Sequence, residues 1–331
     1  LLRLASMWEQ EFVKPDRAAE RLESVLEIDP NHEEALGHLA RLYQGMQRWH
    51  DLISTYERHV SATPNRAEKV RLYKLIGEVN AHEIGDIDRA IDAHLNVLHI
   101  DEEDVESMDA LTRLYEKRGD HSSALETMEQ LVVRLREPSE QTELRFRMGR
   151  LLSEQLGDRV AALEQFQNVI DIDPAHIAAL QAMREIQADA GDWLAVARLL
   201  EKETEVQENP RLVSAALVEL GDVYERRLDN HERAVEAYEA AYAKDKDNEL
   251  AAMPLAEEYV RQERHADALP LLQMLVLRSG KRERDEQQYL SHRLGEVALN
   301  LEHFEEAVRS SSKAYELDST HLPSLMGLAP K

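Results

Sequence analysis

The stretch Leu72–Asp101, LYKLIGEVNAHEIGDIDRAIDAHLNVLHID, decides the fold. Leu72, Leu75, Ile76 and Val79 fall at i, i+3, i+4 and i+7, the apolar stripe of an amphipathic helix. Gly85-Asp86 breaks the pattern, and a second stripe follows at Ala90, Ile91, Leu95 and Leu98. Two short helices joined by a tight turn cannot bury both stripes against each other alone, so the hairpin needs a neighbour on each side.

The neighbours are written at a fixed distance. Asp29, Asp101, Asp173 and Asp245 stand 72 residues apart, and Asp318 follows 73 later. Ala5, Gly77, Gly149, Gly221 and Gly295 form a second series, and Ala18, Ala90, Ala162, Ala234 and Ala307 a third. Small residues at fixed offsets mark close approaches between backbones. A period of tens of residues indicates stacked supersecondary units with a ribbon-like core. The turn recurs as Gly157-Asp158 and Asp229-Asn230, and is less clearly signalled at Leu301-Glu302.

A second kind of unit fills the rest of each period. In Asp29–Arg58 the first helix carries Leu36, Leu39, Leu42 and Tyr43, a turn falls near Gly45, and Trp49, Leu52 and Tyr56 continue the pattern. Asp29-Pro30-Asn31 is expected to stop one helix and cap the next, as is Asp173-Pro174, while Pro64-Asn65 and Pro210 mark the alternate junctions. The reading predicts an all-α fold, a right-handed α-solenoid of stacked helix–turn–helix units. It predicts one array over residues 1–331, clipped in its first unit and incomplete in its last, with junctions near 30, 65, 102, 138, 174, 210, 247, 281 and 320. The start at Leu1 in mid-pattern suggests a piece of a longer protein, and Trp8 near that end would lack part of its cover.

Composition agrees. Hydrophobic residues make up 43% and aromatics 5%, and no alternating Val/Ile/Thr-rich run suggests a strand. A formal charge of −25 repels phosphate backbones, which argues against nucleic acid as a partner. No apolar run reaches membrane-span length, so membrane insertion is not expected. Absence of Cys removes disulfides and thiolate metal sites and fits a reducing compartment, a weak pointer to the cytoplasm.

Motifs for chemistry are missing. His32 and His38, and His94 and His99, lack the i, i+4 spacing that sets two imidazoles on one helical face, and there is no HExxH. There is no GxxxxGK[ST] or GxGxxG. Asp245-Lys-Asp247-Asn-Glu249 has a calcium-loop flavour, but Leu250 stands where such a loop needs Gly. No enzyme activity, cofactor or metal is therefore expected. Trp49, Trp193, Phe166, Tyr56, Tyr115 and Tyr238 read as core, and Ser310–Ser312 as an exposed helix face.

The units resemble tetratricopeptide repeats. Leu36, Leu39, Ala40, Tyr43, Trp49, Leu52 and Tyr56 match that family's apolar and small positions, with Pro64 on its closing proline. Leu111, Tyr115, Gly119 and Ala124 match in the next copy, and Gly77 takes the small position of the alternate unit. Ala90 fits only if one extra residue is admitted at the turn, and Arg184 and Val196 depart from the small positions. The family unit is about 34 residues.

This resemblance implies a protein–protein interaction scaffold, an acidic adapter holding a peptide or helix of a partner protein in a concave groove. The alternative is a regulatory or substrate-guiding arm of a larger enzyme whose catalytic domain lies outside this chain, and self-association through the terminal repeats is a further option. Family positions facing the groove fall on Arg71, Lys74, Arg113, Lys117, Phe146, Arg147 and Arg150, with Glu78, Asp109, Glu116 and Glu143 between them. The arginines and Lys74 are expected either to meet acidic groups of a partner or to pair with neighbouring Glu and Asp. Further on, Gln181, Glu185, Asp189, Glu219, Asp222 and Glu225 make the lining acidic. Glu78 stands where the family's carboxylate clamp needs Asn, so that clamp is not expected.

Overall fold

The computed structural model describes residues 14–319. Ala5, Trp8 and the opening of a further unit after His321 lie outside the described residues. Among the described residues there are 17 α-helices and no strand. They form an all-α solenoid of stacked pairs, as the periodicity predicts, and divide into two compact units.

Unit 1 ends at Ile172. It opens on α1 (Pro15–Ile28), the second helix of its pair. Four pairs follow: α2 (Glu33–Gly45) with α3 (Trp49–Ala62), α4 (Arg66–Glu78) with α5 (Ile87–Ile100), α6 (Val105–Arg118) with α7 (His121–Val132), and α8 (Pro138–Leu151) with α9 (Arg159–Ile172). Unit 2 starts at Asp173 and holds α10 (Ile177–Ala190) with α11 (Trp193–Val206), α12 (Pro210–Arg226) with α13 (His231–Lys244), α14 (Glu249–Arg261) with α15 (His265–Arg278), and α16 (Arg284–Asn300) with α17 (Phe304–Leu317). Within each unit a helix packs mainly on its neighbours in sequence, the nearest-neighbour economy of a repeat. The ribbon core is continuous in unit 2, from Val196 to Val297, and falls into two patches in unit 1.

The recurring aspartates are turn makers. Asp29, Asp101, Asp173 and Asp245 each accept, through Oδ1, the backbone N–H two residues on, at 3.2, 3.2, 3.1 and 3.0 Å. The next helix is then capped by a residue one turn later: His32, Asp104, His176 and Asn248 each accept a main-chain N–H at the start of α2, α6, α10 and α14. The cap of α2 is thus His32, one residue beyond the Asp29-Pro30-Asn31 stretch expected to supply it, and Asn31 instead donates its own N–H to Asp29. Asn65 and Asn209 cap α4 and α12.

Each turn inside a pair contains one residue in the left-handed region. Gln47, Gly119, Gly191 and Glu263 fall 72 apart, and Gly85, Gly157, Asp229 and Glu302 form the other series. The unclear turn at Leu301-Glu302 follows the same backbone rule with Glu302 at φ 60°.

The extra residue of the alternate unit appears as a wide turn. α4 runs into a π-helical turn, Val79–Ile84, and α8 into another, Leu152–Leu156. The N–H of Gly85 reaches back five residues to Asn80 at 2.8 Å, instead of the four of an α-helix. Buried Asn80 donates its side-chain amide to the Ile76 carbonyl, which helps hold this widened turn.

Ser310 and Ser311 are 7% and 3% exposed, which corrects the expectation of an exposed serine face. Ser311 sits against Gly295, where a larger side chain fills the slot in other copies. Tyr56, Phe166 and Tyr238 lie in the core, while Trp49 and Trp193 are half-buried. The guanidinium of Arg227 covers the Trp193 ring at 4.4 Å.

Candidate partner-binding groove

In unit 1 the first helices of three consecutive pairs, α4, α6 and α8, border a run of clefts. The largest, about 630 Å³, lies between α6 and α8. Its floor is Val105, Leu131, Leu135 and Leu144, and its rim carries Glu106, Asp109, Arg113, Glu140, Glu143 and Arg147. A cleft of about 340 Å³ between α4 and α6 is lined by Lys74, Glu78, His82, His94, Asp109 and Arg113. A third, about 360 Å³, is lined by Glu116, His121, Arg147, Arg150 and Glu154. Shared walls at Asp109, Arg113 and Arg147 join the three into one track.

The cations along this track are already engaged. Lys74 Nζ lies 2.8 Å from Asp104 and 2.5 Å from Glu106, tying α4 to the start of α6. Arg113 pairs with Asp109 at 2.6 Å along its own helix. Arg147 reaches from α8 to Glu116 at 2.9 Å and Asp109 at 3.6 Å on α6. Arg150 makes a two-pronged contact with Glu154, at 2.7 and 3.0 Å. Asp104 also accepts from Ser107, and its bonds to Lys74 and Ser107 hold its carboxyl below the usual range despite the opposing effect of burial.

Of the residues read from the sequence, Lys74, Arg113, Arg147 and Arg150 line these clefts. Arg71, Lys117 and Phe146 are not among their lining residues. Arg71 forms a forked pair with Glu68 at 2.9 and 2.5 Å, and Lys117 is exposed on the last turn of α6. Phe146 packs on Phe166 with ring centres 5.6 Å apart. Half of the floor, Leu131 and Leu135, comes from α7 and the residues after it, outside the first helices on which the repeat pattern places groove positions. The sequence signal for it is Val105, an aliphatic residue at the opening of a first helix, which the structure leaves 37% exposed.

In unit 2 several of the polar residues read as groove lining are engaged by neighbouring side chains. Gln181 donates to Glu203 at 2.7 Å, and Arg184 bridges Glu203 and Glu219. The buried Tyr238 hydroxyl offers its single proton to two carboxylates, Asp222 at 2.8 Å and Glu225 at 3.0 Å. Burial and those two carboxylates push its ionisation far above the ordinary phenol range.

Models described as "Tetratricopeptide repeat" match residues 13–71, residues 107–142 and 216–252, and residues 290–321. Among solved structures, MamA is 22% identical with a TM-score of 0.41, covering 54% of this chain and 93% of its own. The C-terminal part of a TPR repeat-containing protein from Cytophaga hutchinsonii is 14% identical with a TM-score of 0.45, covering 79% and 100%. YrrB, described as a TPR protein with an unusual peptide-binding site, is 17% identical with a TM-score of 0.39, covering 60% and 96%. No curated protein matches the sequence. No helix among the described residues is long and apolar enough to cross a membrane. Period, paired helices and matched segments together make the chain a tetratricopeptide repeat protein, a protein-interaction scaffold.

Proposed function

We propose that unit 1 binds an extended segment of a partner protein along α4, α6 and α8, as a noncatalytic adapter. The observation that carries this reading is the run of three joined clefts on successive first helices, with an apolar floor in the largest. Repetition at the helix-pair spacing suits a partner that lies along the stack and places side chains in successive clefts. The ionic groups lining the track favour binding over chemistry, because the basic members are occupied in ion pairs, Lys74 and Arg147 between neighbouring helices and Arg113 and Arg150 with carboxylates four residues away.

Short random peptides selected on the chain supply the test. Binders are expected to lose about tenfold or more in affinity on Val105→Arg, which puts a long charged side chain on the apolar lining of the largest cleft at a position that is not buried. Binders indifferent to that variant, and to Arg113→Glu with Arg147→Glu, would put the binding surface elsewhere.

A further inference from the structure

We infer that the cleft between α6 and α8 selects a segment carrying an aliphatic or aromatic side chain flanked by lysine or arginine. The inference rests on the reading of this track as a partner-binding surface, and adds the chemistry of the partner.

The floor of Val105, Leu131, Leu135 and Leu144 offers an apolar side chain a place to leave water. The charge around it is decided by which groups are spoken for. Arg113 is held by Asp109, and Arg147 by Glu116 and Asp109. Glu106 is held by Lys74. Glu140 and Glu143 remain, both exposed on α8 and neither in an ion pair or hydrogen bond among the described residues. Glu78 is in the same position in the adjoining cleft.

An acidic partner would have to draw Arg113 or Arg147 from its carboxylate. That would strip Asp109 of one of its two arginines, or leave Glu116 unpaired, beside the incoming negative charge, so one pair is exchanged for another and a repulsion is added. A basic partner breaks nothing and gains Glu140 and Glu143. The net charge of −25 acts in the same sense, because it raises the encounter rate of cationic segments. The arginines that look like ligands in the sequence therefore act as walls, and the unpaired glutamates are the recognition groups.

Selection of short random peptides on the full chain, at low and at physiological salt, tests this. Binders enriched in Lys or Arg beside Leu, Ile or Phe are expected. Their affinity should fall about tenfold or more on Glu140→Lys with Glu143→Lys, by less on E140Q/E143Q, and not on Glu129→Lys, an exposed site on α7 outside the clefts. The loss should shrink as salt rises. Enrichment of acidic peptides that are lost on Val105→Arg would keep the groove and overturn the charge assignment. Peptides of any charge that ignore Val105→Arg would overturn both readings.

Discussion

Gly149 on α8 lies so close to the Phe166 ring on α9 that a Cβ at Gly149 would stand 2.5 Å from Cε1 and 2.8 Å from two further ring carbons. Phe166 is fully buried, so its ring has no open side to swing toward. The same contact recurs in the three other alternate pairs complete among the described residues: Gly77 on His94, Gly221 on Tyr238 and Gly295 on Ser311. His94, Phe166 and Tyr238 stand 72 apart and Ser311 follows 73 later, so the small residue and the side chain filling its place form one repeated joint.

Substituting Gly149 sets helix propensity against this joint. Alanine gains about 1 kcal/mol over glycine inside a helix, but the Phe166 ring must then move within a closed core, an overpacking cost of about 1–3 kcal/mol. Gly149→Ala is therefore expected to lower the urea midpoint, and Gly149→Leu to lower it further. Adding Phe166→Leu to G149A should restore part of the loss. A G149A midpoint above the parent's would show that the ring yields and the contact does not limit packing.

The joint at Gly77 carries a titratable group. His94 is buried, with Nδ1 3.2 Å from Ser107 Oγ. Burial and then Lys74 lower its pKa from 6.5, opposed by Asp104 and Glu106. The unfolded chain takes up this proton at a higher pH than the folded one. The stability contribution of neutral His94 is therefore complete above about pH 6.5, and is lost as pH falls through that value toward the folded-state pKa. In the sister copies the sites equivalent to His94 are Phe166 and Tyr238, and those equivalent to Ser107 are Ala179 and Ala251. His94→Phe with Ser107→Ala imports that pair. It should cost less than about 1.5 kcal/mol at pH 8 and should flatten the fall in urea midpoint between pH 7 and 5. An unaltered pH slope in the double variant would mean that His94 is not the group responsible.

These joints explain what was legible in the sequence. A glycine or an aspartate at a fixed offset is visible because the backbone tolerates few substitutes at a close approach or an Asx turn, so Gly77, Gly149, Asp29 and Asp101 align by eye. The residues opposite are not visible, since His94, Phe166, Tyr238 and Ser311 share a location and little chemistry. The wide turns at Val79–Ile84 and Leu152–Leu156 appear in sequence only as one residue too many before Ala90 and Ala162. The groove was half legible for a related reason. Positions on one helix follow from its period, whereas the partners of Lys74 and Arg147 lie 32 and 31 residues away on other helices, and Leu131 and Leu135 reach the cleft from below.

The left-handed turn residues give a second handle on stability. Gln47, Asp229, Glu263 and Glu302 adopt φ between 50° and 60° although each has a Cβ. That conformation costs an ordinary residue about 1–2 kcal/mol, offset in part by the backbone entropy a glycine loses. Glu302→Gly and Glu263→Gly are each expected to raise the melting temperature slightly. Gly191→Val, at φ 75°, should lower it by more, because a β-branched side chain is least tolerated there. A thermal melt in which Gly191→Val matches the parent would show that this turn can adopt another backbone.

Arg184 is the exception in a row of small residues: the equivalent sites 72 residues apart are Ala40, Thr112 and Ala256. Its partner is equally out of place, since Glu203 occupies a slot held by Leu131 and Leu275 in neighbouring copies. The side chains of Arg184 and Glu203 are 18% and 8% exposed, and the 3.8 Å between Nε and Oε2 is too long for a hydrogen bond. Arg184→Ala should therefore leave Glu203 buried with only Gln181 to answer it, at a cost of roughly 2–4 kcal/mol, reduced by the remaining exposure of the pair. Glu203→Leu alone should cost less, because Arg184 keeps Glu219 near the surface. The double variant R184A/E203L recreates the Ala256 and Leu275 pairing, both of which are fully buried, and is expected to be at least as stable as the parent. In a double-mutant cycle read by urea unfolding, the two changes should compensate rather than add. Simple additivity would mean that the arginine and the glutamate are held by other neighbours and not by each other.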